Sequence, residues 1–286
     1  MAEVGPRWAE DTRGHIALML EKFSEVLVWA PKQDVSVQRN ISYGSHERQN
    51  FDLFVPKVHA SSRPALIFVH GGAFTHGNRN RTPEIYSNVL YYFARHGILG
   101  INAGYRLAGD AVYPGAAMDV ASVVAWTRAN AETLGINPNR IFLMGHSAGG
   151  AHVGSYAFDS RIHPAEGPGL AGLLIVSGRV RADNRAGNPN AQRVETYYGS
   201  DSSIYENVSP VSHVTRDSVR TFIAFAEYEN PFIDVYCLEL AYRLAAAKGV
   251  SPQVLQMKGH NHTSIIAHMN TAEDKLGRAC LDFIFS

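Results

Sequence analysis

The chain has little cysteine and no excess of charge of either sign. Its 286 residues include two cysteines, Cys237 and Cys280, which lie far apart and fit buried thiols of a reducing compartment better than a disulfide framework. Lys plus Arg and Asp plus Glu each number 26, so the formal net charge is zero. With no run of like charges, the composition argues against a nucleic acid or an anionic membrane as partner.

Long apolar runs, a secretory leader and internal repeats are also missing. No apolar stretch approaches the roughly 18 residues that a membrane span needs, and residues 1–11 show no basic region followed by an apolar one. We therefore expect a cytoplasmic protein with no membrane partner. With 45% hydrophobic and 18% charged residues, the chain is long enough to bury one large core.

An amphipathic helix is predicted near the N-terminus, because apolar residues recur at helical spacing over residues 14–29. Such a helix either packs on the rest of the chain or covers a functional site as a flap, and the sequence leaves both open. We therefore expect an N-terminal helical extension, residues 1–33, followed by one large domain, residues 34–286.

That domain alternates strand and helix patterns. Two half-exposed strands, residues 35–43 and 51–55, come first and are predicted to be antiparallel. Continuous apolar runs predict buried strands near residues 65–69, 98–102, 140–144, 170–176, 221–226 and 254–257. Helical patterns lie between them, at residues 82–95, 116–133, 151–158, 231–248 and 272–285. The fold class is therefore α/β, with a mostly parallel eight-stranded sheet and helices on both faces.

One long connection interrupts this alternation. Residues 178–216 lack clear periodicity and are rich in Asn, Ser, Gly and Arg. Connections of this length usually line or cover a site. We expect this segment to shape a binding pocket.

A Gly-x-Ser-x-Gly motif at residues 145–149 lies between a predicted strand and a predicted helix. In a nucleophile elbow the chain turns so sharply at the serine that the residues two positions to either side must lack a Cβ. The turn presents the Ser147 hydroxyl at the edge of the sheet and leaves the backbone N–H of Ala148 facing the same space. Elsewhere this pentapeptide is an ordinary Gly-rich turn, but in this context it predicts a nucleophilic serine.

A serine hydroxyl needs a base that takes its proton and a carboxylate that orients the base. In this architecture the acid and then the histidine follow the serine, each in a loop after a strand. Glu229, after the strand at 221–226, is the predicted acid, with Asp234 as the alternative. After the last strand His262 is the predicted base; His260 is the alternative and would otherwise face solvent or the loop.

The same histidines admit another interpretation. A His-x-His pair at residues 260–262, with His268 nearby, is a pattern that can bind a metal. No Cys or acidic partner lies in the same segment, residues 258–264. We therefore expect no metal site and no cofactor.

Donors for a developing oxyanion are predicted after the strand at residues 65–69. The backbone N–H groups of Gly71 and Gly72 suit this role, because glycine lets the chain approach a reacting carbon closely. His-Gly-Gly alone is only a tight turn. Together with the elbow it predicts an acyl-transfer site.

These motifs resemble the α/β-hydrolase superfamily. They are His-Gly-Gly-Ala-Phe at residues 70–74, Tyr-Arg-Leu-Ala at 105–108 followed by Tyr-Pro at 113–114, and Gly-His-Ser-Ala-Gly-Gly at 145–150. The nearest branch is the hormone-sensitive-lipase-like esterases, which also contains enzymes of the kynurenine formamidase (arylformamidase) type. The resemblance extends from about residue 35 onward and implies that residues 34–286 are an α/β-hydrolase catalytic domain.

By this resemblance Ser147 is the nucleophile, Glu229 the acid and His262 the base. The oxyanion donors it implies are Gly71, Gly72 and Ala148.

Some details resemble the formamidase side of the branch. His146 precedes the serine where many lipase-like members have Asp, and Glu-Asn-Pro at 229–231 resembles the Asp-Ser-Pro turn of formamidases. Other details depart from it: the acid is Glu instead of Asp, and Phe74 stands where formamidases often carry Trp. His-Gly-Gly is followed by Ala73 and not by a third glycine.

The sequence thus predicts a carboxylesterase, a serine hydrolase that cleaves a small carboxylic ester through an acyl-enzyme. The alternative is an aryl-formamide or amide hydrolase with the same residues. A non-catalytic ligand-binding homologue is the third candidate, although all three triad residues are present. The expected partner is a small-molecule ester or amide, and a homodimer is expected only because homodimers are common. Candidate substrate-binding residues are Phe74, Tyr105, His146, Tyr228 and Phe232.

Overall fold

A computed structural model describes residues 3–58 and 61–286. Within that part of the chain there are eight strands: β1 (Val35–Ser42), β2 (Asn50–Pro56), β3 (Arg63–Val69), β4 (Leu99–Ala103), β5 (Ile136–His146), β6 (Gly172–Val176), β7 (Thr221–Tyr228) and β8 (Gln253–Asn261). They form one sheet in the order β1-β2-β4-β3-β5-β6-β7-β8. The eight predicted strands are therefore all present.

The sheet is antiparallel at one edge and parallel elsewhere. β2 pairs antiparallel with β1 and β4, and the other neighbouring strands pair in parallel. In the β3–β5 pair Val69 lies beside Gly145. Because both strands end at that edge of the sheet, the loop after β3 lies next to the turn after β5.

The described helices are α1 (Thr12–Leu27), α2 (Ser87–Arg95), α3 (Gly115–Ala129), α4 (Ala131–Leu134), α5 (Ala148–Phe158), α6 (Ala191–Tyr198), α7 (Tyr205–Val208), α8 (Ile233–Lys248), α9 (Ser264–Ala267) and α10 (Lys275–Phe285). Two short 3-10 turns, Ser202–Ile204 and Pro210–His213, lie in the connection between β6 and β7. None of the helices in residues 3–58 and 61–286 is both long and apolar enough to cross a membrane.

Two hydrophobic cores lie on opposite faces of the sheet. Along β3, Ile67 packs in the first core and Leu66 and Phe68 pack in the second. Helices α3, α5 and α8 contribute to the first core, whereas α2 and α10 contribute to the second. Burial on both faces is why the central strands are uninterrupted apolar runs.

Two helix predictions need correction. The helix expected from Thr82 begins only at Ser87, because Tyr86 has a φ of 80°, which a helix does not admit. The Thr82 hydroxyl caps a separate turn, accepting the N–H groups of Glu84 and Ile85 at 3.2 and 3.0 Å. The helix expected over residues 116–133 is divided into α3 and α4 at Asn130.

The connection at residues 178–216 is more regular than its composition indicated. It contains α6, α7 and both 3-10 turns. Val194, Tyr197 and Val211 from this segment are buried in the first core. The segment is therefore packed onto the sheet and is not an irregular loop.

The N-terminal segment packs on the rest of the chain. Asp11 caps α1 by accepting the N–H of Gly14 at 2.9 Å, and Leu27 at the other end is buried in the second core. The indole N–H of Trp8 donates to the side-chain oxygen of Asn230 at 3.0 Å. This segment thus reaches the loop after β7, and the division at residues 33 and 34 stays a prediction.

Candidate active site

The turn between β5 and α5 has the geometry of a nucleophile elbow. Ser147 has a φ of 56° and a ψ of −120°, a conformation that costs energy for a residue with a side chain. A Cβ on Gly145 would lie 2.6 Å from the carbonyl oxygen of Gly149, and one on Gly149 would collide with the carbonyl oxygen of Val69. Both glycines are therefore required by close backbone approach, as the motif predicted.

The structure brings Ser147, His262 and Glu229 together. Nε2 of His262 lies 3.0 Å from Oγ of Ser147, and Nδ1 lies 2.6 Å from Oε2 of Glu229. An ionised carboxylate only accepts hydrogen bonds, so Nδ1–H donates to Glu229 and Nε2 accepts the serine O–H. This tautomer is the one that can take the serine proton. Asp234, the alternative acid, lies in the first turn of α8 instead.

Glu229 is itself held from two sides. Its Oε1 accepts the backbone N–H of Ala226 at 2.8 Å and the hydroxyl of Ser177. The side chains of Glu229 and His262 are only 4% and 6% exposed. The carboxylate is therefore fixed in position and screened from water, which strengthens its interaction with the imidazole.

A second buried histidine supports the first. Nε2 of His146 lies 3.0 Å from the backbone carbonyl of His262, and Nδ1 lies 3.3 Å from the hydroxyl of Tyr86. Burial lowers the pKa of His146 well below its ordinary value, so this ring is neutral. Nε2–H then donates to His262, and Nδ1 accepts from Tyr86.

The loop after β3 lies against the elbow. A Cβ on Gly71 would lie 2.8 Å from Cβ of Ser147, so only glycine allows this approach. Gly72 has a φ of 150°, and a Cβ there would collide with the carbonyl oxygen of His76. Ala148 begins α5, and the first N–H groups of a helix have no acceptor within it. Gly71 and Ala148 thus lie beside the serine, and Gly72 follows Gly71 in the same loop.

Comparisons with known proteins agree with this geometry. A family model described as BD-FAE matches residues 51–159. Esterase LipC of Mycobacterium tuberculosis is 28% identical over 199 residues, 63% of this chain and 48% of its own length. The probable isoprenylcysteine alpha-carbonyl methylesterase ICMEL2 of Arabidopsis thaliana is 31% identical over 137 residues, 47% of this chain and 31% of its own length. The chain thus spans less than half the length of these two curated relatives.

The fold comparison extends over the whole chain. Inhibited esterase B of Lactobacillus rhamnosis superposes with a TM-score of 0.78 at 17% identity, covering 99% of this chain and 95% of that protein. The chain therefore has the α/β-hydrolase fold, and its sequence is similar to the esterases named above. The shared fold agrees with the sheet order described above.

Three of the five residues expected to line a substrate pocket are buried in the structure. The Phe74 ring stacks on Tyr197 with centroids 4.9 Å apart and is part of the first core. Tyr105 is equally buried, and its hydroxyl donates to the backbone carbonyl of His70 at 3.0 Å. Tyr105 therefore braces the loop after β3, and His146 braces the backbone of His262.

The other two expected lining residues are half-buried. The carbonyl oxygen of Tyr228 accepts the N–H of His262 at 3.1 Å, so its backbone positions the base. Phe232 has a φ of 69°, and the guanidinium of Arg185 lies 5.0 Å from its ring centroid. Phe232 thus contacts the connection between β6 and β7, the segment expected to shape the pocket.

Two supporting residues of the site were missed from the sequence. Ser177 directly follows β6, the strand next to the elbow strand, and a hydroxyl at that edge was a usable signal. Tyr86 had no such signal, because it belongs to a turn predicted to be helix. Ser177 contacts Glu229 directly, whereas Tyr86 contacts His146.

His260 does not face solvent, contrary to the sequence expectation. It is 3% exposed, its Nε2 lies 2.9 Å from Oε1 of Glu273, and its Nδ1 lies 3.2 Å from the hydroxyl of Ser264. Burial lowers the pKa of the neighbouring His268 to about 4. The acidic partner that the segment at 258–264 lacks is therefore supplied by Glu273, further along the chain.

Proposed function

We propose that this α/β-hydrolase is a carboxylesterase, a serine hydrolase that cleaves a small carboxylic ester through an acyl-enzyme. The observation that carries the proposal is the pair of hydrogen bonds at His262 beside a glycine loop: Nε2 accepts the Ser147 hydroxyl at 3.0 Å, and Nδ1 donates to Glu229 at 2.6 Å. The names of LipC, ICMEL2 and esterase B support ester substrates, although each name describes that protein.

Acylation would use the triad and the loop together. Oγ of Ser147 attacks the ester carbonyl carbon while Nε2 of His262 takes the hydroxyl proton. The carbonyl electron pair moves to the oxygen, where backbone N–H groups of the Gly71–Gly72 loop and Ala148 stabilise it. The carbon–alkoxy bond then breaks, and the alcohol leaves with the proton from His262.

Deacylation repeats these steps with water. His262 takes a proton from water, the hydroxide attacks the acyl carbon, and Ser147 leaves with the proton returned to its oxygen. Glu229 stays ionised throughout and stabilises the charged imidazolium. This chemistry requires neither a metal nor an organic cofactor.

An aryl-formamide hydrolase is the second candidate. Glu-Asn-Pro at residues 229–231 and His146 before the serine favour it. The triad would act in the same way, and an aryl amine would replace the alcohol as leaving group. A cytoplasmic location and a homodimeric state stay predictions.

Hydrolysis of p-nitrophenyl acetate, p-nitrophenyl butyrate and N-formyl-kynurenine tests the proposal. We expect fast ester turnover that disappears in Ser147→Ala, whereas Ser122→Ala, an exposed serine of α3, retains it. Dominant formamide cleavage would move the assignment to the second candidate. Ester turnover that survives Ser147→Ala would overturn the mechanism, and no turnover of any of the three would contradict the small-ester assignment.

A further inference from the structure

A second cluster of chemically active side chains lies outside the triad. His260, His268 and Glu273 each offer one ligand atom, and these atoms lie within 4.8 Å of one another. Both histidines are buried, whereas the Glu273 side chain is 52% exposed. The cluster therefore combines two buried imidazole rings with one exposed carboxylate.

The spacing suits a small metal ion. Nε2 of His260 lies 2.9 Å from Oε1 of Glu273, and the centroids of the two imidazole rings are 4.4 Å apart. Tetrahedral zinc with bond lengths of about 2.0–2.2 Å places neighbouring ligand atoms roughly 3.3 Å apart. Because the Glu273 side chain is exposed, it can rotate to adjust the distance between its carboxylate and the two imidazole rings.

His268 has a free buried lone pair. Its Nδ1 donates to the backbone carbonyl of Ser264 at 2.9 Å, so Nε2 carries no proton in the neutral ring. Within the described residues this Nε2 is a buried atom without a hydrogen-bond partner. Buried polar atoms are rarely left unpaired, and an unprotonated imidazole nitrogen is a preferred zinc ligand.

In both histidines the hydrogen bond at the other ring nitrogen, Nδ1, also fits a metal site. A metal-binding histidine usually donates its other ring N–H to a neighbouring oxygen, which fixes the tautomer. Nδ1 of His268 does so to the carbonyl of Ser264, and Nδ1 of His260 lies 3.2 Å from the hydroxyl of the same residue. One residue thus orients both rings.

We propose that His260, His268 and Glu273 form a binding site for Zn²⁺ or a similar divalent transition metal, with Nε2 of each histidine and a carboxylate oxygen as ligands. The site joins the end of β8 to the segment after α9. The base His262 lies between these ligands in the chain, so the metal holds the segment that carries it. This inference does not depend on the proposed esterase activity.

Metal binding by the intact protein tests the site. The protein is treated with a chelator, dialysed and equilibrated with Zn²⁺, and bound metal is measured by elemental analysis after equilibrium dialysis. We expect one Zn²⁺ per chain and a melting temperature raised by about 5 °C at saturating metal. Co²⁺ in place of Zn²⁺ should give visible absorption bands of nitrogen- and oxygen-bound cobalt.

Glu273→Gln is the diagnostic variant, because an exposed side chain can be replaced without disturbing the hydrophobic core. We expect zinc affinity to fall at least about 10-fold, and the temperature shift to vanish at the same metal concentration. Glu132→Gln, an exposed acid outside the cluster, should bind like the wild type. Absence of stoichiometric zinc, or equal affinity in Glu273→Gln and the wild type, would overturn the proposal.

Discussion

The backbone carbonyl of His262 accepts a hydrogen bond from Nε2 of His146 at 3.0 Å, so one buried histidine holds the main chain of another. His146 is directly bonded in the chain to Ser147. The elbow that presents the serine therefore also anchors the backbone of His262. This link connects Ser147 and His262 through the buried ring of His146.

His146→Phe removes that donor while keeping a ring in the space. We expect kcat/KM for p-nitrophenyl acetate to fall about 10-fold, because a lost buried hydrogen bond of roughly 1–2 kcal/mol leaves His262 less well placed. The loss should lie in kcat more than in KM. Exposed His96→Phe is the control, and an unchanged kcat in folded His146→Phe would contradict the positioning role.

Glu229→Gln tests the assignment of the acid. A neutral amide keeps the shape but cannot stabilise the imidazolium, so we expect kcat to fall by about 10³-fold or more. Asp234→Asn is the matched control and should stay within a few-fold of the wild type. The reverse ranking of the two variants would give the role to Asp234.

Gly72→Ala tests the oxyanion loop. The new Cβ would collide with the carbonyl oxygen of His76, so the loop must move away from the serine. We expect at least a 100-fold loss of kcat from misplaced donors. Gly167→Ala, at a φ of 101° with nothing within 4 Å of the new Cβ, carries only backbone strain of about 1–3 kcal/mol. Equal activities of the two variants would contradict the loop's role.

Buried neutral histidines predict loss of stability in mild acid. Burial lowers the pKa of His70 and of His152 to about 3, from the ordinary 6.5. The unfolded chain therefore binds protons that the folded chain does not, so stability is full above pH 6.5 and falls as the pH drops below it. Each of these histidines adds a slope of about 1.4 kcal/mol per pH unit.

Urea unfolding at pH 7 and pH 5 measures this effect. His152→Leu should reduce the pH-dependent loss of unfolding free energy by about 2 kcal/mol, because one proton uptake disappears over roughly 1.5 pH units. His96→Leu, at an exposed position, is the control. An unchanged difference in His152→Leu would mean that this ring is not kept neutral by burial.

Much of the fold and the triad geometry could be predicted because they depend on local pattern. Apolar runs mark strands buried on both faces, and the glycines around Ser147 mark a turn that no other residue permits. The placement of Glu229 and His262 near each other could be predicted from chain order, because the loops after parallel strands lie at one edge of the sheet. The structure places them within hydrogen-bonding distance, and their chemical roles stay predictions.

What could not be predicted depends on packing between distant segments. An aromatic residue in a loop has the same sequence pattern whether it lines a pocket or packs in the core, so the burial of Phe74 and Tyr105 could not be predicted. The pairing of His260 with Glu273 spans 13 residues and is created by the turn through α9. The helices within residues 178–216 are short and have only weak apolar periodicity. They are stabilised by tertiary contacts, which the sequence pattern does not reveal.

Covalent labelling of Ser147 tests the central claim most directly. The wild-type protein is treated with a fluorophosphonate probe, and the modified residue is identified by mass spectrometry of its peptides. We predict one adduct on Ser147, slowed at least about 100-fold in His262→Ala because the base no longer takes the proton. An unlabelled Ser147 in folded protein, or labelling that does not depend on His262, would contradict the account.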